Sequence, residues 1–182
     1  KGLAASLYMT VSRTLIRAFG QTITDPGGIL SAVNNLLVGD TPSGMFVTAV
    51  FAILDLKTGK VIFSNAGHNR PIIIRSKKLE TEELSQGDMA LGVMEDVQYR
   101  NMEISIESGD LILFYTDGLT ETFSVDEEQF GVHRAIEFLK QNHHLNIDEI
   151  LEKLDLELHD FRDGQPPSDD LTLIGLKREV LD

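Results

Sequence analysis

Phe46-Val47-Thr48-Ala49-Val50-Phe51-Ala52-Ile53 is a run of β-branched, aromatic and small apolar residues, and its reading as a strand decides the fold. Leu56-Lys57-Thr58-Gly59-Lys60 follows as a turn and returns the chain into Val61-Ile62-Phe63-Ser64. After the loop Asn65-Ala66-Gly67-His68-Asn69 comes Pro71-Ile72-Ile73-Ile74-Arg75. These three segments are expected to form a meander. Two further strands are expected over Tyr99 to Ile106 and Asp110 to Tyr115, joined through Ser108-Gly109.

Helical spacing holds on both sides of this run. Leu3, Leu7, Val11, Leu15 and Phe19 repeat at helical intervals with no internal Pro or Gly. Asp25-Pro26 supplies an N-cap followed by Pro in the first turn, which predicts a second helix over Ile29 to Val38. Helices return after Gly131. Asn146-Ile147-Asp148-Glu149 reads as a capping box with Asn at the cap, and Ile147, Ile150, Leu151, Leu154, Leu158 and Phe161 form one apolar stripe behind it. The loop Gly164 to Ser168 leads to a last strand over Leu171 to Leu176. Helices, then strands, then helices and one returning strand predict an α+β domain of antiparallel sheet covered by helices. A doubly wound parallel fold needs strands and helices to alternate, and here they do not.

The 182 residues suit one domain with a sizeable core, with 42% hydrophobic and 25% charged residues. There is no cysteine, so a disulfide framework, a thiolate zinc site and a cysteine nucleophile are excluded, and a cytoplasmic location is the expectation. The formal charge of −13, from 29 acids and 16 bases, repels nucleic acid and anionic lipid and favours divalent cations. The most apolar run, Met45 to Leu54, is far short of the ~20 residues that span a bilayer. The amino terminus has no signal-peptide core, so neither membrane nor nucleic acid is expected as a partner.

Two acidic loops carry the chemistry. Asp117-Gly118 follows the apolar strand Leu111 to Tyr115, and Asp169-Asp170 precedes Leu171 to Ile174. If the two strands pair antiparallel, the end of one lies beside the start of the other and the carboxylates gather. Such hard oxygen donors suit magnesium, manganese or calcium. Gly118 would admit an ion or water without a side chain in the way. Asp-Gly is equally an ordinary turn, and an Asp before a strand often bonds its own loop backbone, so spacing alone leaves both readings open. His68 could be a general acid or metal ligand, or merely part of a hairpin loop. His143-His144 is expected to end a solvated helix, and Asp126-Glu127-Glu128 to lie at the surface.

Taken in order, Lys1-Gly2-Leu3-Ala4-Ala5, Asn65 to Asn69, Leu91-Gly92-Val93, Phe114 to Gly118, Phe130-Gly131 and Asp169-Asp170-Leu171-Thr172 resemble the SpoIIE-like branch of the metal-dependent serine/threonine protein phosphatases, the PPM family. The resemblance spans essentially the whole chain. It implies a β-sandwich flanked by helices, a two-metal Mn2+ or Mg2+ site and hydrolysis of protein phosphoserine or phosphothreonine. It assigns Asp117 and Asp169 to the metals, with Asp170 and Gly118 as neighbours. The implied mechanism uses metal-activated water and no side-chain nucleophile, which agrees with the absence of cysteine. The family also places a Gly-Asp-x-x-Gly-Lys/His-Gly motif before the first helix, whose Asp bridges both metals. Lys1 and Gly2 match its last two residues, so the bridging ligand and the strands before it are expected upstream. The chain as it stands is expected to bind metal weakly.

The resemblance further implies an output domain behind a sensor or receiver segment, a phosphorylated substrate of the anti-sigma-antagonist type, and a homodimer. The alternatives are a non-catalytic interaction module that kept the fold and lost the metals, and an enzyme acting on small phosphorylated molecules.

Overall fold

The structure, a computed structural model, describes residues 2–40, 44–82, 84–85 and 87–179. In chain order the elements begin with α1 (Leu3–Phe19), α2 (Pro26–Asp40), β1 (Ala49–Leu54), β2 (Lys60–Ala66), β3 (Ile72–Arg75) and β4 (Glu80–Glu82). They continue with β5 (Met102–Ser105), β6 (Leu111–Tyr115), α3 (Asp117–Thr120), α4 (Gly131–Asn142), α5 (Ile147–Arg162) and β7 (Leu173–Lys177). The architecture is α+β with antiparallel sheets. It divides into two compact units, residues 1–68 with 86–105, and residues 69–85 with 106–182.

The first unit holds α1, α2 and a three-stranded sheet in the order β1-β2-β5. The start of α2 is fixed as its sequence predicts. Asp25 Oδ2 accepts from the Gly28 amide at 2.6 Å, and Pro26 occupies the first helical position, where no amide is needed. A Cβ on Gly27 would lie 2.1 Å from the Tyr99 carbonyl oxygen, so only glycine lets the helix start pack there. Ile29, Leu30, Val33 and Leu37 then bury one face of α2 against Tyr8, Ala66, Leu91 and Tyr99. Full burial of each such aliphatic side chain contributes about 1.5–3 kcal/mol.

α1 has the predicted boundaries but a different buried face. Leu3, Leu7 and Val11 are 78%, 58% and 49% exposed, whereas Tyr8 and Ser12 are buried. Ser12 can lie on that face because its hydroxyl donates to the Tyr8 carbonyl at 2.8 Å. Tyr8 joins the apolar cluster of this unit, and Leu15, Ile16 and Phe19 of the later turns pack against it, partly buried.

The expected three-strand meander does not form. β2 pairs with β1 on one edge (Ala49 opposite Ala66) and with β5 on the other (Lys60 opposite Ser105). Both of its edges are therefore filled, and β3 belongs to the second sheet. The segments joined by Ser108-Gly109 likewise fall in different sheets, β5 in the first and β6 in the second.

The second unit carries a four-stranded antiparallel sheet in the order β4-β3-β6-β7. Ile72, Ile74, Leu111 and Leu113 of its strands share one core with Ala135 and Leu139 of α4 and Ile150, Leu154 and Leu158 of α5. The capping box is present: the Glu149 amide donates to Asn146 Oδ1 at 2.9 Å, and Glu149 Oε2 accepts from the Asn146 amide at 3.1 Å. Gly175 of β7 lets α5 settle on the strand, since a Cβ there would meet Ile147 Cδ1 at 2.4 Å. Asp110, almost fully buried, accepts from Arg75 at 2.6 Å and from the Ser76 amide at 2.9 Å. Burial pulls the Arg75 guanidinium down, but its bonds to Asp110 and Glu82 outweigh this and hold it above its usual value.

Candidate functional site

The second unit joins the two acidic loops. β6 and β7 pair antiparallel with Tyr115 opposite Leu173, so the loop leaving β6 runs beside the loop entering β7. Thr116 is extended and begins the one-turn helix α3, yet its hydroxyl does not cap that helix. It reaches across instead. Thr116 Oγ1 donates to the Asp170 carbonyl at 3.0 Å and accepts from the Thr172 amide at 2.9 Å. The Thr116 amide donates to the Thr172 carbonyl at 3.1 Å. Three hydrogen bonds at one residue thus tie the Asp117 loop to the Asp169-Asp170 loop.

Gly118 completes the junction. A Cβ there would lie 2.5 Å from the Asp170 carbonyl oxygen and 3.2 Å from Leu171 Cα, both main-chain atoms that cannot swing aside. Its φ is not positive, so the demand for glycine comes from closeness, not from conformation. Thr122 Oγ1, buried, donates to the Gly118 carbonyl at 2.6 Å and holds the exit of the turn.

Asp117, Asp169 and Asp170 are all exposed. Among the described residues, no hydrogen bond or ion pair engages the Asp117 carboxylate. Asp169 Oδ1 accepts from the Asp170 amide at 2.9 Å, which is the loop-bonding role open to an Asp before a strand. Gly118, Asp169 and Asp170 line a cavity of about 270 Å3 with Asp155 and Arg162. Among the described residues, the Arg162 Nε is buried without a hydrogen-bond partner. Tyr115, at the end of β6, has its phenol pushed up by burial, partly offset by Arg70.

The other residues singled out in the sequence are local. Gly2 precedes α1 at φ 96, and its carbonyl accepts from the Ser6 amide at 3.1 Å; Lys1 lies outside the described residues. His68 belongs to the first unit, half-buried, with Nδ1 3.1 Å from Thr48 Oγ1. Its amide donates to Asn65 Oδ1 at 2.7 Å, while its carbonyl accepts from Asn65 Nδ2 at 2.9 Å. His143 ends α4 with Nδ1 2.8 Å from the Lys140 carbonyl oxygen, and Asp126, Glu127 and Glu128 are exposed.

Among the described residues, no group of three or more His, Asp or Glu is arranged to hold a metal. The two loops offer hard oxygen donors beside a glycine wall, which fits Mn2+ or Mg2+ in kind. In number they fall short of the roughly six oxygens such an ion takes. Thr116 is the residue of this junction that sequence reasoning passed over. Its signal was the Thr before Asp-Gly, but a hydroxyl there predicts a helix cap at least as readily as a cross-loop bond.

The SpoIIE family, described as Stage II sporulation protein E, matches residues 1–179. The chain belongs to the SpoIIE family. It is 30% identical over 207 residues to protein IcfG of Synechocystis, a match covering 98% of this chain and 32% of IcfG. It is 25% identical over 189 residues to the phosphoserine phosphatase RsbU of Bacillus subtilis, covering 99% of this chain and 53% of RsbU. The chain therefore spans between a third and about half of these relatives. Among solved structures, the SiaA-PP2C domain of Pseudomonas aeruginosa superposes with a TM-score of 0.83 at 21% identity, covering 98% of this chain and 72% of that one. This likeness shows the PP2C phosphatase fold. Solved structures of this fold include ones in complex with magnesium or with manganese. Among the described residues, no helix of this chain is long and apolar enough to cross a membrane.

Proposed function

We propose that the chain is the phosphatase part of a regulatory protein and removes phosphate from phosphoserine or phosphothreonine on a protein partner, using Mn2+ or Mg2+. The observation that carries this reading is the tie between the Asp117 and Asp169-Asp170 loops through Thr116 and Gly118, in a chain that the family matches along nearly its whole length. Asp117 and Asp169 would hold the metal, with Asp170 and Gly118 beside it and Gly2 marking the end of the upstream motif. When bound, the ions supply Lewis acidity toward phosphoryl oxygens and lower the pKa of water. The chain's residues supply placement. Thr116 sets the spacing of the two loops, Gly118 leaves an open wall, and the exposed carboxylates leave access for a phosphorylated side chain that protrudes from a protein.

The 182 residues act in this reading as one phosphatase domain in the cytoplasm, behind an upstream sensor or receiver segment and paired as a homodimer. The substrate is a phosphorylated protein of the anti-sigma-antagonist type. The RsbU relative, named as a phosphoserine phosphatase, supports the reaction class.

The test is Mn2+-dependent release of phosphate from a phosphoserine protein by the full-length protein and by its Asp117→Asn variant. A loss of roughly 100-fold or more is expected, since even residues that only support metal ligands change activity 10–100-fold. Equal rates would remove Asp117 from the site. Absence of Mn2+ and Mg2+ binding in calorimetry would favour an interaction module.

A further inference from the structure

The second unit has another opening, next to the acidic loops. A cleft of about 480 Å3 lies between the segment after α3 and the loop that leads to Asp169, with Phe123, Val125 and Glu127 on one wall and Gln165 and Pro166 on the other. Phe123 and Val125 are 41% and 49% exposed. Each thus leaves part of its apolar surface in the open cleft, where an apolar side chain of a ligand could cover it.

Both walls are preorganised. Phe123 and Gln129 bridge as an antiparallel pair, and Ser124 Oγ accepts from the Asp126 and Glu128 amides at 3.3 Å each. The Ser124 amide donates to the Glu128 carbonyl at 2.9 Å, and Glu127 turns the tip at φ 61. On the other side, the rings of Pro166 and Pro167 fix φ at both positions. Ser168 Oγ donates to the Glu121 carbonyl at 2.9 Å and ties the walls together at the residue before Asp169. A ligand in this cleft meets a backbone already held in place, so less loop ordering is lost on binding.

The rim sets the charge of the occupant. Asp126, Glu127 and Glu128 are exposed along the tip, and Arg134 takes up Glu128 at 2.8 Å. Among the described residues, Asp126 and Glu127 have no ion-pair partner. An anionic lipid surface or nucleic acid is repelled, and a cationic peptide segment is attracted.

We propose that this cleft docks the stretch of the protein substrate next to its phosphorylated residue and selects an apolar side chain flanked by Lys or Arg. The proposal rests on the phosphatase reading, because Ser168 of the cleft directly precedes Asp169 of the acidic loops. Phosphoryl chemistry at Asp117 and Asp169 treats all phosphoserines alike, and the cleft supplies discrimination among proteins.

The experiment uses the full-length protein and two fluorescent, unphosphorylated peptides, one with Leu and Arg next to the serine and one with Ala and Glu there. Anisotropy titrations are run in EDTA, so binding is read without metal or turnover. The chain should prefer the Leu-Arg peptide about tenfold, the size of discrimination that one apolar contact gives. Val125→Asp and Glu127→Lys should each reduce that preference to about twofold without changing the thermal melting curve. With Mn2+ and the phosphorylated peptides, kcat/KM for the Leu-Arg peptide should fall by a similar factor in both variants, while hydrolysis of p-nitrophenyl phosphate stays unchanged. No preference in the parent chain, or a preference that survives both variants, overturns the docking cleft. A preference that behaves as expected, with no phosphate released from any substrate, leaves the cleft standing and overturns the phosphatase reading instead.

Discussion

The Asn65–Asn69 loop and the Asp117/Asp169 loop pair are both glycine-bearing loops at strand ends, and both use short polar side chains. They spend their hydrogen bonds differently. In the first, Asn65 folds back on its own loop and satisfies the amide and the carbonyl of His68, and its own carbonyl accepts from Asp88 at 2.8 Å. Gly67, at φ 69, takes a backbone conformation that disfavours other residues and packs against Ala90. In the second, Thr116 bonds across to the backbone of another loop, and the Asp117 carboxylate is left out of the network. A loop that closes on itself is a structural joint. A pair of loops locked through main-chain atoms, with the Asp117 carboxylate left exposed, is the geometry on which the proposed metal site rests.

Substitutions can break this contrast. Beyond Asp117→Asn, the largest effect is expected from Gly118→Ala, whose Cβ must displace the Asp170 backbone. Overpacking of this kind costs about 1–3 kcal/mol, and phosphate release should be nearly lost, both measurable by urea unfolding and a phosphate assay. Thr116→Val keeps the shape and removes the hydroxyl. The Asp170 carbonyl and the Thr172 amide are exposed and can turn to water, so stability should fall by about 0.5–1.5 kcal/mol. The midpoint of Mn2+ activation should rise, which a metal titration reads. Asn65→Ala should cost ~1–3 kcal/mol in the first unit, with phosphate release per folded molecule unchanged. His68→Ala is the smallest: stability within about 0.5 kcal/mol, as for substitutions away from strongly packed features, and an unaltered pH–rate profile. A changed profile would return His68 to the chemistry.

Local features were legible in the sequence because they depend on neighbours in the chain. The Asp25 cap, the Asn146–Glu149 box, the α5 stripe and the end of β6 before Asp117 all reappear, whereas β7 begins at Leu173, two residues later than the expected Leu171. Pairing between distant segments was not legible. Pro71 to Arg75 reads as a strand in any sheet, and nothing in those residues says that both edges of β2 are already taken by β1 and β5. The stripe of α1 misled for a related reason: Leu3, Leu7 and Val11 show which residues share a side, while Tyr8 and Ser12 show which side is covered. At the site, the acidic residues could be found by type and spacing. Thr116 could not, because its partners at Asp170 and Thr172 lie more than fifty positions along the chain.

The contacts that join the two loops end on main-chain atoms of Asp170 and Thr172, and none of them uses the Asp170 carboxylate. A change of side chain at position 170 therefore leaves the junction closed, whereas position 118 has no such freedom. Two residues that face each other across one seam thus contribute in opposite ways, the glycine by what it lacks and the aspartate only by what it adds.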